Sequence, residues 1–564
     1  MNLDELIVLS AQQYHAGQPD QSLVTCQQIL MQEVNHVTAW SNASAALAAM
    51  GRWIDALAYA RYALALEPQR PDALNNCAEI LLALGRKEEA ALLFRNLGWT
   101  QYQAKERDAA MASYERALSM NPQDVECLHV LAGLHSERKE STQALMLMNR
   151  VLGINPQHLA TLAAKGNLLG GQAEQGLAAE ACFQTALTID PNHWMTLYNY
   201  GVYLANVERY SEAVQMYVRA GHADPNHHLS FWNLSNLLLR LGDYPHAWPL
   251  YEWRWKTDHL KPAYLQLPMP LWLGQNLQGK RILLHFEQGY GDAFQFIRFA
   301  KDVAARGAHV TIFMPKEICD NFVGVAGVHE IKPWHEIPQG FDYHAPLMSL
   351  PVPLGLTMQN IPSQAPYMLA NPERIRLWQE RLLKLGKSKK QKLRVGLAWC
   401  GRPTHENDRN RSIAFDELVP LIDAFPQAQF VSLQVGPRES DLPALDACQA
   451  IVRIEDQIKD FSDTAALIMQ LDVLISVDTS VVHLAGALGK PVWAMIPAAS
   501  DWRWLLNVEP YAEATPWYPN VRLFRQSLDD GKTWRWTNVL ARVQSELEKL
   551  LLSQQATQHS SKVA

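Results

Sequence analysis

The first half of the chain carries small and apolar residues at helical spacing. Near residue 56, alanines four and seven residues apart fall on one side of a predicted helix, and a proline follows shortly afterwards. The same arrangement returns at Ala110, Ala179 and Ala213, and weaker copies start at Ser22, Ala90, Ala144 and Ala247, which makes eight starts in all. In five of these copies an aromatic residue stands four positions after the start: Phe94, Tyr114, Phe183, Tyr217 and Tyr251. The pattern predicts paired helices.

These starts are 34, 34, 20, 34, 35, 34 and 34 residues apart. Small side chains let two helices approach closely, the aromatic fills the gap to the next pair, and the proline ends the second helix. A unit of this length and composition resembles the tetratricopeptide repeat. The resemblance implies an all-α superhelix over residues 1–257 that binds a protein acceptor.

One step in this series is about one helix too short. Only 20 residues separate Ala90 from Ala110. We therefore expect either one long helix over residues 86–104 that is shared by two repeats, or a bend in the array at that point.

The second half changes to short apolar runs that alternate with helical patterns. Because parallel strands need crossover connections, this alternation predicts βαβ units and parallel sheets. Two groups of runs, at 279–370 and 392–525, suggest two Rossmann-like lobes over residues 258–385 and 386–564. The predicted strands are RILLHF (281–286), HVTIFM (309–314), LRVGLAW (393–399), QFVSLQV (429–435), DVLISV (472–477) and PVWAMI (491–496).

Composition narrows the function classes. The 564 residues carry a net charge of −7, so no basic excess indicates a nucleic-acid partner. Seven scattered cysteines without a CxxC pair suggest reduced thiols. The N-terminus has acids and no basic flank, and no apolar run reaches the roughly 18 residues of a membrane span. We therefore expect a cytoplasmic location and no membrane span.

No GxGxxG fingerprint occurs in the chain. The nearest glycine signal, EQGYGD at 287–292, lacks the third glycine of that fingerprint. This argues against a dinucleotide-dependent oxidoreductase.

Three segments carry a resemblance to a transferase family. HFEQGYGDAFQFIRFAKDVAARGAHV, GLAWCGRPTHENDRNRSI and SVDTSVVHLAGALGKPVW occur in this order. Over residues 270–545 the chain resembles the glycosyltransferase family 9-like domain, which is related to lipopolysaccharide heptosyltransferases. Such domains occur fused to tetratricopeptide repeats in bacterial proteins that include flagellin glycosyltransferases. The resemblance implies a GT-B fold and inverting sugar transfer without metal or cofactor, with the nucleotide-sugar donor in the second lobe and the acceptor in the first.

The segment VDTSVVHLAGALGKP follows a predicted strand and opens a helix. The unpaired N–H groups of Ser480 and Val481 and the helix dipole suit a donor phosphate. Alternatively, Asp478 or Thr479 only caps the helix. The heptosyltransferase motif matches at Asp478, Thr479 and His483, but departs from it at Ser480, where those enzymes usually carry glycine. His483 either faces the donor or packs in the core.

A polar loop after strand 393–399 carries Arg402, Arg409 and Arg411. Arginine neutralises phosphate without a metal, and by resemblance Arg411 takes the place of the family's basic phosphate contact. A solvated loop with local ion pairs is the alternative. Gln434, at the end of the next strand, is a second candidate for donor binding, through the base or ribose.

The EQGYGD segment supplies the candidates for catalysis. The heptosyltransferase pattern places here an aspartate that deprotonates the acceptor hydroxyl, and Asp292 matches it. Glu287 is the competing base. Alternatively, Asp292 only caps the helix and the glycines only form a tight turn.

We therefore expect a protein O-glycosyltransferase whose repeats hold the acceptor. Resemblance to the flagellin branch implies flagellin as the acceptor and a nonulosonic acid carried on CMP as the donor. Resemblance to the heptosyltransferases implies a nucleotide diphosphate sugar instead, so the donor stays open. Two alternatives stay open: a non-catalytic scaffold with a degenerate transferase domain, and a transferase that acts on a glycan or lipid-linked acceptor. The repeats argue against a small acceptor, and the set of Asp292, Arg411 and Thr479 argues against a scaffold.

Overall fold

The computed structural model of the chain divides into two compact units, Met1–Asp224 and Pro225–Ala564. It describes seven stretches, 1–257, 265–335, 337–385, 393–404, 407–506, 509–529 and 533–563. The first unit is all-helical, and the second combines one helical hairpin with two parallel sheets. This arrangement confirms the predicted fold class, a repeat array followed by an α/β region.

The first unit consists of antiparallel helix pairs. Its helices are α1 (Leu3–His15), α2 (Pro19–Gln32), α3 (Val37–Ala49), α4 (Trp53–Leu66), α5 (Pro71–Ala83), α6 (Lys87–Gln103), α7 (Arg107–Met120), α8 (Val125–Glu137), α9 (Ser141–Ile154), α10 (Leu159–Gly170), α11 (Gly176–Ile189), α12 (Trp194–Asn206) and α13 (Tyr210–Ala223). The periodic small residues that predicted these helices are buried between them.

Glycines on one helix of a pair make room for the aromatic residue of the other. A Cβ atom on Gly166 would lie 2.7 Å from the ring of Phe183, and one on Gly201 would lie 2.9 Å from Tyr217. The absence of a side chain at these glycines therefore sets how closely the helices approach. This explains why the pattern combines small and aromatic residues.

The short step in the repeat series corresponds to one long helix. Helix α6 has 17 residues and packs against both α5 and α7. Its second half uses the glycine–aromatic contact, because a Cβ on Gly98 would lie 3.1 Å from Tyr114 of α7. Helix α6 thus closes one repeat and opens the next, which confirms the shared helix.

The second unit begins with the hairpin α14 (His228–Leu241) and α15 (Tyr244–Tyr251), which a short 3₁₀ turn extends. Its aromatic residues pack against the α/β region. The Trp517 indole Nε1 donates a hydrogen bond to the Tyr244 hydroxyl at 3.1 Å, and the ring of Trp248 lies 5.4 Å from that of Trp502. These contacts make the hairpin part of the second unit. The repeat pattern in the sequence extended the predicted array to residue 257 and so counted the hairpin as part of the array.

The first lobe contains a four-stranded parallel sheet of order β3-β2-β1-β4. Its elements are β1 (Arg281–His285), α16 (Tyr290–Phe296), α17 (Ala300–Ala304), β2 (His309–Met314), α18 (Lys316–Cys319), β3 (Glu330–Pro333), β4 (Tyr343–Pro346) and α19 (Pro351–Leu354). Helix α20 (Pro372–Leu385) follows in the chain, but it packs on the second lobe, where Trp378 Nε1 donates to Asp463 and Arg374 pairs with Asp460.

The second lobe contains a six-stranded parallel sheet of order β10-β9-β8-β5-β6-β7. Its elements are β5 (Arg394–Ala398), α21 (Asp408–Arg411), α22 (Phe415–Asp423), β6 (Gln429–Ser432), α23 (Leu442–Ala447), β7 (Ile451–Val452), α24 (Phe461–Ile468), β8 (Val473–Val477), α25 (Ser480–Ala487), β9 (Val492–Ile496), β10 (Val521–Arg525), the small hairpin β11 (Leu528–Asp529) and β12 (Thr533–Trp534), and α26 (Thr537–Val563).

Both sheets reverse their strand order next to their first strand. In the first sheet the chain adds β2 and β3 on one side of β1 and then places β4 on the other. In the second it adds β6 and β7 beside β5 and then returns to place β8 on the opposite side. Ligands of open α/β sheets bind at such reversal points, outside the carboxyl ends of the strands.

Candidate functional site

The EQGYGD segment forms the turn between β1 and α16. Gly289 is the N-cap residue of α16, and its N–H donates to Asp292 Oδ2 at 2.9 Å. The other oxygen, Asp292 Oδ1, accepts a hydrogen bond from Arg503 Nη2. Asp292 is therefore not the N-cap residue itself, but its side chain accepts the N–H of that residue and also forms an ion pair with the second lobe.

The two sequence segments that flank the sheet reversals meet in space. A Cβ atom on Gly291 would lie 2.7 Å from Cδ2 of His483 and 3.4 Å from the Cα of Ser480. Helices α16 and α25 are therefore in direct contact, and only a residue without a side chain fits between them. This contact places the EQGYGD turn and the VDTS turn side by side where the two lobes meet.

On the second lobe, α25 begins without a side-chain cap. Thr479 is its N-cap residue in extended conformation, and its hydroxyl lies 3.3 Å from that of Ser476 rather than on a helix N–H. Ser480 and Val481 in the first turn are half-exposed. The first-turn N–H groups are thus not capped by Thr479, which leaves the dipole end of α25 suited to an anion.

Asp478 lies half-buried directly before this helix. Burial and the nearby charge of Asp501 raise the pKa of its carboxyl to about 6. Its backbone carbonyl accepts a hydrogen bond from Arg411 Nη1 at 2.9 Å. Asp478 does not cap α25 through its side chain.

The arginines of the loop after β5 differ in placement. Arg411 is mostly buried and lies 3.6 Å from Asp408, while its Nε has no hydrogen-bond partner in the part of the chain that the structure describes. Arg409, on the same short helix α21, is exposed. The guanidinium of Arg402 lies over the ring of Tyr290, 5.4 Å from its centroid, and so links the loop to α16.

Gln434 supports the end of β5. Its Oε1 accepts hydrogen bonds from the backbone N–H groups of Trp399 at 3.1 Å and Cys400 at 3.0 Å. The side chain is buried. The geometry therefore gives Gln434 a backbone-holding role, and its contact with a donor stays a prediction.

His483 is packed among aromatic residues. Its Nδ1 lies 3.0 Å from the Tyr518 hydroxyl, and its ring stacks on Trp504 at 5.4 Å. Burial, with the nearby charges of Arg503 and Arg298, lowers the pKa of His483 well below its usual range. These contacts match the core alternative, and no contact to a donor follows from them.

Glu287 is buried in an ion pair with Arg254 of the hairpin, at 2.8 Å. Burial raises the pKa of Glu287 to about 7, although Arg254 opposes this rise. Arg254 also donates to Ser349 Oγ at 2.7 Å and to Glu252 at 2.6 Å. Glu287 thus connects the hairpin to the start of the EQGYGD turn.

Arg503 is a residue that the sequence analysis did not select. It lies in the segment DWRW, between two tryptophans, a residue type that suits either a ligand-site wall or core packing. The structure buries Trp502 and Trp504, and it places the guanidinium of Arg503 between the lobes. An arginine between two tryptophans has no local signature of such a role.

Both lobes line a cavity of about 540 Å³, which lies between α18 and β3 of the first lobe and the start of α24 of the second, with Asp320 and Asp460 among its lining residues. Among the described residues, no group of three or more His, Cys, Asp or Glu side chains is arranged to hold a metal ion. Within the same residues, none of the helices combines the length and apolar character that crossing a membrane requires.

Three tetratricopeptide repeat family models match the first unit, at residues 47–97, 96–124 and 182–215. The array is built of tetratricopeptide repeats. A curated relative, Protein FlbA of Caulobacter vibrioides (strain ATCC 19089 / CIP 103742 / CB 15), is 29% identical over 313 residues, which are 51% of this chain and 50% of FlbA. The chain thus spans about half the length of this relative.

Solved structures are similar to separate parts of the chain. A glycosyl transferase family 9 protein from Veillonella parvula matches with 12% identity and a TM-score of 0.39, covering 50% of this chain and all of its own. The tetratricopeptide repeat protein YrrB, described as having an unusual peptide-binding site, matches with 18% identity and a TM-score of 0.22. That match covers 37% of this chain and 96% of YrrB.

Proposed function

We propose that this chain is a glycosyltransferase that moves a sugar from a nucleotide-sugar donor to a hydroxyl group of a protein held by the repeats. The observation that carries the proposal is the contact of α16 with α25 at Gly291 and His483. It joins the carboxyl-end turns of two parallel sheets, each beside a strand-order reversal, into one cleft. A donor and an acceptor can therefore approach each other from opposite lobes.

The second lobe supports the donor side of this proposal. The uncapped N-terminus of α25 presents N–H groups and a positive dipole end to a phosphate. Arg411 adds a cation whose Nε has no hydrogen-bond partner within the described chain. Buried donors without a ligand are costly, so a phosphate that accepts from Arg411 would relieve this cost.

The first lobe supports the acceptor side. In the proposed step, the Asp292 carboxylate takes the proton from the acceptor hydroxyl as that oxygen forms its bond to the anomeric carbon of the donor sugar. The bond between this carbon and the donor phosphate breaks, and the nucleotide leaves with the electron pair. The N-terminus of α25 and Arg411 stabilise the charge of the leaving group.

One observation favours the scaffold alternative. Both oxygens of Asp292 already accept hydrogen bonds, from Gly289 and from Arg503. A purely structural Asp292 would make the same contacts. The experiment therefore has to separate binding from turnover.

The test uses the full-length chain with a panel of nucleotide sugars linked to UDP, GDP, ADP and CMP, and it measures nucleotide release and binding. Asp292→Asn should lower turnover about 100-fold with similar donor affinity, because the amide keeps the shape but not the base. Arg411→Ala should weaken nucleotide binding by about 1–3 kcal/mol. The exposed Arg409→Ala on the same helix is the matched control, for which we expect a smaller effect.

The outcomes separate the candidate functions. Absence of both binding and turnover across the panel would support the scaffold and contradict the proposal. Turnover that EDTA leaves intact would support the metal-independent mechanism that the resemblance implies. Intact mass of flagellin from cells with and without this chain tests the proposed acceptor and, through the added mass, the proposed nonulosonic acid.

A further inference from the structure

Arg503 reaches across the cleft between the lobes. It belongs to the turn that follows β9 of the second lobe, and its side chain is buried. Its Nη2 donates to Asp292 Oδ1 and its Nε donates to Gln295 Oε1 at 2.7 Å, and both partners lie on α16 of the first lobe. Its Nη1 donates to Asp501 on its own turn at 2.8 Å. All three guanidinium nitrogens therefore have a carboxylate or amide partner.

The turn that presents Arg503 is held in an uncommon conformation. Leu505 has φ 56° and ψ −169°, a left-handed combination that non-glycine residues rarely adopt. Two contacts stabilise the turn: Asp501 Oδ1 accepts the backbone N–H of Arg503 at 3.0 Å, and the guanidinium of Arg525 donates to the carbonyls of Trp504 and Leu505. Strained backbone conformations that the surrounding contacts hold in place are typical of functional sites.

We propose that Arg503 is a positioning residue, which holds the Asp292 carboxylate from the opposite lobe and so orients it toward the acceptor hydroxyl. This inference rests on the proposed function. The N–H of Gly289 holds one oxygen of the carboxylate, and Arg503 holds the other. The contact from Arg503 exists only while the two lobes are together.

The charge of Arg503 also favours the ionised form that a general base needs. The test therefore includes the pH dependence of turnover, to which other groups close to Asp292 contribute. These groups are Glu287 at the start of the same turn, Tyr251 of the hairpin, Asp501 beside Arg503, and His483 on α25.

Three variants of the full-length chain test the proposal. Arg503→Met keeps the length and apolar stem but removes the charge, and Arg503→Lys keeps a charge with poorer geometry. Arg525→Met is the matched control, because Arg525 is equally buried and supports the same turn but contacts only backbone carbonyls. Thermal unfolding establishes that each variant is folded. If Arg503→Met does not fold, Arg503→Lys takes its place in the comparison.

With a donor that turns over in the panel above, Arg503→Met should lower kcat roughly 10- to 100-fold and leave the donor KM within about threefold. The acidic limb of its rate profile should move up by about one pH unit or more, since a carboxylate without its cation is protonated more readily. Arg503→Lys should recover part of both effects, and Arg525→Met should leave the acidic limb in place. The proposal would be overturned if Arg503→Met left the acidic limb of the rate profile in place and lowered kcat no more than Arg525→Met does.

Hydrogen–deuterium exchange on the ligand-free chain gives a readout that does not depend on any donor. Arg503→Met should speed exchange of the α16 amides roughly tenfold more than Arg525→Met does, because only Arg503 is bonded to α16 in this pair. Equal α16 protection in both variants would contradict the role of Arg503 even if turnover were never found. A panel without turnover but with faster α16 exchange would reject the glycosyltransferase and retain the contact between the lobes.

Discussion

The helix pairs of the first unit and the hairpin α14–α15 share one sequence pattern but bury it in different cores. In the first unit, glycine–aromatic contacts such as Gly166 with Phe183 join helices within the array. In the hairpin, Trp248 and Arg254 are almost completely buried against residues of the α/β region. The repeat pattern therefore specifies a helix pair, whereas residues outside the pattern decide which core that pair joins.

Among the tests of this difference, we expect truncation of the chain to have the largest effect. Residues 225–564 should give a cooperative thermal transition, whereas residues 258–564 should not, because removal of the hairpin exposes the surfaces under Trp248 and leaves Glu287 without Arg254. Circular dichroism and gel filtration of both fragments check this. A 258–564 fragment with the midpoint of the longer one would show that the hairpin is dispensable, as the expected boundary at residue 257 implies.

The buried ion pair of the hairpin should matter more than an exposed pair in the array. Arg254→Met should lower the free energy of unfolding by about 3–5 kcal/mol, since Glu287 would be left buried without its partner. Arg107→Met removes a pair with Glu137 whose side chains are 38% and 48% exposed, and it should cost at most about 1 kcal/mol.

Urea unfolding of both variants measures the difference. The double variant Arg254→Met with Glu287→Met should recover much of the loss, because it removes the unpaired charge. If Arg254→Met and Arg107→Met lowered the free energy of unfolding equally, burial of the ion pair would not make the two regions different.

Within the array, the tight contacts can be separated from helix propensity. Gly166→Ala should destabilise the first unit by about 1–3 kcal/mol, because the new Cβ would lie 2.7 Å from the ring of Phe183. Gly133→Ala, on α8, meets nothing within 4 Å and should instead stabilise it by about 0.5–1 kcal/mol. Thermal melts of the fragment 1–224 compare them, and a loss in both variants would refute the packing explanation.

The smallest expected effect is the pH dependence of fragment 1–224. Burial lowers the pKa of His129 and of His193 below 6.5 in the folded array. The stability that this contributes is present above the unfolded pKa of about 6.5 and is lost as pH falls below it, because the unfolded chain binds the protons first. Melting temperatures from pH 7.5 to pH 5 should fall, and the variant with both histidines changed to Gln should show a shallower slope.

Much of the fold was predictable because it rests on local periodicity. The 34-residue spacing predicts the helix pairs, and the short step at Ala90 predicts α6. All six predicted strands are present, with ends that differ by up to three residues. The strands of the two parallel sheets that we did not predict carry no long apolar run: β3, β4 and β7 have two to four residues, and β10 (Val521–Arg525) is interrupted by Arg522.

The candidate site was predictable in its turns but not in its side-chain contacts. The EQGYGD and VDTS segments follow strands, and the structure places both turns in one cleft. Gln434 and His483 were expected at the donor, but backbone N–H groups of β5 and the Tyr518 hydroxyl are the partners that the structure gives them. Their types suit either role, so sequence alone left the choice open.

By itself, the sequence determined the repeat array, the parallel strands and the turns that carry the site, because hydrophobic spacing and glycine reflect backbone geometry over a few residues. Only the tertiary structure decided that the last hairpin joins the α/β region and that Arg503 holds Asp292, 211 residues away in the chain. A buried charged side chain pairs with an opposite charge that lies close to it in space. The sequence around Arg503 has no periodicity from which that proximity could be predicted.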